Sequence, residues 1–110
     1  MKIAYGTYAM PTVPLEEAFP MLARLGYDGV EIAISDKHHG ATPDQMDKER
    51  RARLRGLLQD NGLGVPALFV LGAVYTPDES AHRANLEKTR LCVQLARDLG
   101  MAEPPVIAIG

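Results

Sequence analysis

The chain alternates between two kinds of apolar pattern, and this alternation limits its possible folds more than any other feature of the sequence. Short β-type runs are separated by stretches of helical spacing, and glycine or proline closes each segment. Strands that alternate with helices are typical of a parallel sheet with right-handed crossovers. The sequence therefore predicts one α/β domain over residues 1–110, in the order β-α-β-α-β-α-β. Its strands are expected near residues 2–8, 29–34, 64–71 and 106–110.

The three intervening helices are predicted from periodicity and from start and stop signals. The first runs from Leu15 to Gly26, although Pro20 lies inside it and removes one backbone hydrogen bond. The second and third each follow a capping-box pattern, Thr42–Gln45 and Thr76–Glu79, so we expect them to begin there.

The second helix also carries a basic run from Lys48 to Arg55. We interpret this run as a solvated helix face, with Glu49 paired to Arg53 one turn away.

The alternation of side chains within the strands predicts two different sheet faces. In the second strand Val30, Ile32 and Ile34 point one way, whereas Glu31 and the small residues between them point the other way. We expect the bulky set to face the helices. A second face of small residues suits the inside of a barrel with room for a ligand. The prediction is a half-barrel, the first four strands and three helices of a (β/α)8 TIM barrel; the alternative is a small doubly wound parallel α/β domain.

Charge and cysteine content argue against several classes of partner. The formal net charge of −2 gives no general attraction to nucleic acid or to anionic membrane surfaces, so we expect neither as a partner. Cys92 is the single cysteine, and the first twenty residues contain no signal-peptide pattern, so we expect a cytoplasmic protein. Motifs for nucleotide cofactors are missing from the sequence.

Four residues are candidates for contact with a small-molecule substrate. Glu31 is a carboxylate in an otherwise apolar strand, which requires a substrate, a metal or a structural ion pair. Tyr8 lies at the carboxyl end of the first strand, where barrel active sites lie, and is either a sugar contact or an ordinary rim aromatic. His38 follows the second strand and is either a substrate contact or a solvated loop histidine. Gly72 follows the third strand, and we expect it to line one concavity with Tyr8 and Glu31.

Four segments carry a family resemblance: MKIAYGTYAMP, LARLGYDGVEIAI, LRGLLQDNGLGVPAL and LARDLGMAEPPVIAIG. Together they resemble the xylose isomerase-like TIM-barrel family, which includes sugar-phosphate isomerases and epimerases, and LGYDGVEI is the most specific segment. The resemblance implies proton transfer next to a carbonyl through an enediolate. It also implies a divalent metal ion (Mn, Mg, Zn or Co) in the barrel mouth.

The resemblance covers only the N-terminal half of such a barrel, because a complete one needs eight βα units and about 250 residues. In the isomerase and epimerase members the metal ligands come mostly from later strands, so no residue of this chain is assigned as a metal ligand. A DNA-repair endonuclease branch draws metal-binding histidines from the ends of strands three and four. Residues 71–73 and 109–110 contain no histidine, which disfavours that branch.

Two functional hypotheses follow. In the first, the chain is the N-terminal part of a metal-dependent sugar or sugar-phosphate isomerase or epimerase, inactive on its own, that contributes the substrate-binding residues. In the second, it is a non-catalytic half-barrel that forms a homo-oligomer or pairs with a second half through its inner face and strand edges.

Overall fold

The four β-runs pair in chain order to form one parallel sheet. A computed structural model describes residues 1–71 and 76–110. Its strands are β1 (Ala4–Gly6), β2 (Gly29–Ile34), β3 (Leu68–Val70) and β4 (Ile107–Ile109). The helices are α1 (Leu15–Arg24), α2 (Lys48–Asp60) and α3 (Glu79–Asp98), with short 3-10 turns at Thr7–Ala9 and Pro43–Gln45. The sheet order is β1-β2-β3-β4, and all three pairings are parallel.

The three helices pack on one face of the sheet and share a single apolar core with it. Val30, Ile32 and Ile34 are fully buried in this core, as the alternation in β2 predicts. The helices contribute Leu15, Phe19 and Leu22 from α1, Leu54 and Leu58 from α2, and Cys92, Leu95 and Ala96 from α3. In the described part of the chain no helix covers the other face, so the half-barrel prediction is confirmed and the doubly wound alternative is wrong.

The register places the opposite set of side chains together on the uncovered face. Gly6 of β1 lies opposite Glu31, whereas Ala33 lies opposite Phe69, which in turn lies opposite Ala108. Since strand side chains alternate, these residues point away from the helices. Small residues flank Glu31 and Phe69, so this face, called here the inner face, has room above it.

Two of the predicted strands are longer than the observed ones. The first was expected over 2–8 and pairs over Ala4–Gly6, and the third was expected over 64–71 and pairs over Leu68–Val70. Gly64 does reach β2, since its carbonyl accepts from the Val30 amide at 2.9 Å. Pro66 follows and has no amide hydrogen to donate, which interrupts the ladder before Leu68.

The two capping boxes do not begin the helices as predicted. Met46 adopts an extended conformation and packs into the core with 2% of its surface exposed, which ends the Pro43–Gln45 turn. Helix α2 then begins at Lys48, and the Asp47 carboxylate caps it by accepting from the Arg50 amide at 2.8 Å. Helix α3 is capped by Asp78 and not by Thr76. In both cases the carboxylate nearest the first helical turn takes the capping position.

Candidate functional site

The carboxyl ends of β1 and β2 are joined by a hydrogen bond from the sheet to the turn after β1. The buried Thr7 side chain accepts from the Ala33 amide, with 2.9 Å between nitrogen and oxygen. This bond fixes the Thr7–Ala9 turn against β2. Tyr8 is therefore held at the edge where TIM-barrel active sites lie, with 62% of its surface exposed.

His38 connects the loop after β2 to this same turn. Its ring is buried, with Nδ1 3.1 Å from Ser35 Oγ and Nε2 3.1 Å from the Tyr8 carbonyl oxygen. A carbonyl oxygen only accepts, so the hydrogen-bond network assigns the ring hydrogen of the neutral imidazole to Nε2. Ser35 Oγ then donates to Nδ1 and accepts from the Lys37 amide at 3.0 Å. Both ring nitrogens bond to protein groups, and the imidazole lies beside the Tyr8 ring, with 6.0 Å between centroids.

Glu31 lies on the inner face, beside the last residue of β1. Its side chain is partly buried, and within residues 1–71 and 76–110 it forms no hydrogen bond or ion pair. The structural ion pair considered from the sequence is not formed by the described residues. The carboxylate is free to accept hydrogen bonds from a ligand placed over the sheet.

The expected concavity with Tyr8, Glu31 and Gly72 is only partly open to comparison with the structure. Gly72 falls outside the described residues. An open cleft of about 500 Å³ lies over the loop after β2, and neither Tyr8 nor Glu31 lines it. Its lining consists of Pro11, Thr12, Asp36, Lys37, His38, His39, Gly40 and Gln45. The structure thus brings Tyr8 and His38 together, whereas Glu31 lies on β2 opposite Gly6, two residues before Tyr8 in the chain.

Arg50 fixes the far side of this loop and has no counterpart among the sequence candidates. Its guanidinium is 14% exposed and donates to both carboxylate oxygens of Glu16, at 3.0 Å each. It also donates to the carbonyl oxygens of Gly40 and Gln45. This bidentate hydrogen bonding holds the pKa of Glu16 below its usual value, in spite of partial burial.

The interpretation of the basic run as a solvated face is therefore wrong in part. Arg50 is largely buried, and Arg51 bonds to Asp98 at 2.7 Å and to two carbonyl oxygens. The expected pair between Glu49 and Arg53 is not formed within the described residues; Arg53 lies 3.8 Å from Glu16. The sequence shows that these arginines are charged but does not show their burial or their partners, because those partners lie on other elements.

The part of the chain that the structure describes contains neither a cluster of metal ligands nor a membrane-spanning helix. No three histidine, cysteine, aspartate or glutamate side chains are grouped there so as to hold a metal ion. Cys92 is fully buried in the core, and burial raises the pKa of its thiol. Among the described helices, none is long and apolar enough to cross a bilayer.

Comparison with known families agrees with the geometry. The pattern of the family described as xylose isomerase-like TIM barrel matches residues 19–107. The chain belongs to the xylose isomerase-like TIM barrel family. This membership accounts for four parallel strands in chain order with every helix on one side.

The chain is also similar to a solved structure. This is the crystal structure of the probable 3-DHS dehydratase AsbF, involved in petrobactin synthesis, from Bacillus anthracis. The TM-score is 0.71 at 16% sequence identity, which shows a common fold. The match covers 92% of this chain and 36% of that one, so the chain spans about a third of the length of that protein. No curated protein sequence matches significantly.

Proposed function

We propose that the chain forms the N-terminal part of a cytoplasmic, metal-dependent sugar or sugar-phosphate isomerase or epimerase, which acts by proton transfer next to a carbonyl. Glu31 is the observation that carries this proposal. A carboxylate without a partner among the described residues lies on the inner face, beside the end of β1. In TIM barrels the substrate binds at this end of the strands.

The described residues supply substrate binding and orientation in this proposal. Glu31 accepts hydrogen bonds from sugar hydroxyl groups, and the exposed ring of Tyr8 packs against the apolar side of the sugar. His38 holds the Tyr8 backbone and the loop at the rim.

The divalent metal implied by the resemblance has no group of three or more His, Cys, Asp or Glu ligands among residues 1–71 and 76–110. No step of the reaction is assigned to a metal held by these residues. In the proposal, its ligands belong to other strands of a complete barrel.

Hydrogen exchange into the substrate tests the proposal. The full-length protein is incubated in D2O with Mn²⁺ or Mg²⁺ and with a panel of ketoses, aldoses and their phosphates. We expect deuterium at the carbon next to the carbonyl in at least one sugar, detected by NMR. Glu31→Gln should weaken sugar binding about tenfold, because a carboxylate that accepts hydrogen bonds is replaced by a neutral amide. Glu17→Gln, an exposed carboxylate on α1, is the matched control. No exchange with any sugar, or formation only of a dehydrated product, would contradict the proposal.

The exposed inner face supports a second candidate, a non-catalytic half-barrel that forms a homo-oligomer or pairs with a second half. Val106 is 57% exposed and Phe69 is only partly buried, and among the described strands β1 and β4 each pair on one side only. Unpaired strand edges and apolar surface favour association. The isolated chain is then expected not to be a monomer.

A further inference from the structure

A second open cleft lies on the helix side of the molecule, between the first two turns of α2 and the last turn of α3. Its volume is about 590 Å³, and it shares no residue with the proposed substrate contacts Tyr8, Glu31 and His38. Its lining consists of Met46, Lys48, Arg51, Ala52, Arg55, Arg97 and Asp98. Four of these side chains are cationic and one is anionic, although the whole chain has a net charge of −2.

Two of the four cations are neutralised by carboxylates. Arg51 pairs with Asp98 at 2.7 Å, and Arg97 pairs with Glu103 at 3.1 Å. In contrast, Lys48 and Arg55 form no ion pair or hydrogen bond with any residue that the structure describes. Arg51 acts with the charge of Lys48 to lower the pKa of Asp98, so Asp98 is shared between two cations. The four cationic side chains of the cleft thus face only the carboxylates of Asp98 and Glu103 among the described residues, which leaves the cleft with a net positive charge.

The geometry of α2 and contacts with nearby residues hold the cationic side chains of α2 on one surface. Lys48, Arg51 and Arg55 are three and four residues apart along α2, so they project from one face of the helix. Arg51 is further fixed by the carbonyl oxygens of Met46 and Pro43, at 2.8 and 2.9 Å. The Arg55 guanidinium lies over Gly100, where an added Cβ would come within 3.0 Å of Nε. The absence of a side chain at Gly100 leaves room for Arg55 at the wall of the cleft.

We propose that this cleft binds a small oxyanion that carries at least two negative charges, such as a phosphate ester. Lys48 and Arg55 contact the anion, because they are the two cations of the cleft that form no direct ion pair with a described residue. Guanidinium groups bind such oxyanions through paired N–H donors, and the ammonium group of lysine adds a point charge. The site is separate from the sheet and does not depend on the proposed isomerase or epimerase activity.

Pyrophosphate is the probe that tests this proposal, with calorimetric titration of the full chain at low ionic strength. We expect saturable binding of one pyrophosphate per chain. Lys48→Gln and Arg55→Gln should each weaken it about five- to tenfold, on the order of one charge-assisted hydrogen bond. Arg53→Gln is the matched control, because it removes the same charge from the same helix outside the cleft, and it should change binding less than twofold.

Three results would overturn the proposal. The first is the absence of saturable pyrophosphate binding in the millimolar range. The second is equal weakening by Arg53→Gln, which would show a general effect of net charge. The third is equally tight binding of acetate, a monoanion that cannot match two positive charges. Glu31→Gln should leave pyrophosphate binding unchanged, and a change there would place the anion at the sheet instead. Circular dichroism of each variant verifies that it is folded.

Discussion

At the residue scale, the arginines of α2 show that one side-chain type serves different purposes within two turns of helix. Arg50 is 14% exposed and bonds to Glu16 and to two loop carbonyl groups, whereas Arg53 is 61% exposed and only approaches Glu16. Arg50 thus connects α1, the loop after β2 and α2. Removing it would leave a partly buried carboxylate and two carbonyl groups without their donor.

We predict that Arg50→Gln lowers the free energy of unfolding by about 2–3 kcal/mol, the range for breaking a partly buried, hydrogen-bonded charge pair. Arg53→Gln should lower it by about 0.5 kcal/mol or less, since exposed pairs contribute little. Urea unfolding followed by circular dichroism measures both values. Equal effects of the two substitutions would show that Arg50 does not hold the loop.

The same ion pair predicts a loss of stability in acid. Arg50 keeps the pKa of Glu16 below its usual value of 4.5 in the folded chain, and Arg51 lowers the pKa of Asp98 in the same way. A carboxyl group with a lowered folded pKa stabilises the protein above its unfolded pKa. That contribution is lost as the pH falls below about 4.5 and through the folded pKa.

Unfolding measured from neutral pH into this acid range should therefore show a steep fall in stability for the wild type. Arg50→Gln should reduce the slope, because it removes the largest cause of the lowered pKa of Glu16. An unchanged slope in Arg50→Gln would contradict the assignment of the acid sensitivity to this pair.

At the element scale, α3 is buried along only part of its length. Its twenty residues extend about 30 Å. Cys92, Leu95 and Ala96 are fully buried, whereas Leu86 and Leu91 are 57% and 46% exposed. Among the described residues, the fully buried side chains of α3 all lie in its second half. Its first half carries the Asp78 cap and the local pair of Arg83 with Glu79.

Two leucines one turn apart on α3 test this division. We predict that Leu95→Ala costs about 2–4 kcal/mol, since it leaves a cavity in the core. Leu91→Ala makes the same chemical change at an exposed position and should cost less than about 1 kcal/mol. Urea unfolding measures the free energy of unfolding of both variants. Similar losses would contradict the burial of Leu95 and the exposure of Leu91 in this packing of α3.

At the scale of the whole molecule, the sheet is open at both sides. A closed barrel has no free strand edge, whereas within residues 1–71 and 76–110 β1 and β4 each have a neighbour on one side only. Apolar side chains lie at these edges, with Ile3 55%, Val106 57% and Ile109 49% exposed. These residues are where the molecule is expected to contact a second copy or a second half-barrel.

We predict that the isolated 110 residues associate at micromolar concentration, so that light scattering reports a mass above the 12.0 kDa of one chain. Val106→Asp should reduce association, because it places a charge beside the edge strand. Leu86→Asp is the matched control, since Leu86 has the same 57% exposure but lies on α3. A monodisperse 12.0 kDa species that binds no hydrophobic dye would contradict this prediction.

The features that the sequence determined by itself are those that depend on residues close to one another along the chain. Alternation along β2 predicted its buried set, because successive strand side chains must point to opposite faces. The predicted end of the first helix at Gly26 is confirmed, and this glycine has a positive φ that other residues rarely adopt. Gly62 and Gly100 have the same conformation just after α2 and α3. The alternation of strands and helices predicted the order of the elements, and the small residues on one strand face predicted that the helices pack on the other face.

The tertiary structure alone decided which side chains meet across the fold. His38 bonds to the Tyr8 carbonyl 30 residues away, and Arg50 bonds to Glu16 34 residues away. Even the start of α2 depended on distant residues, because burial of Met46 ended the first turn and moved the cap to Asp47. The physical reason is that local pattern fixes periodicity and propensity, whereas these contacts require the register of β1 on β2 and the packing of α1 against α2.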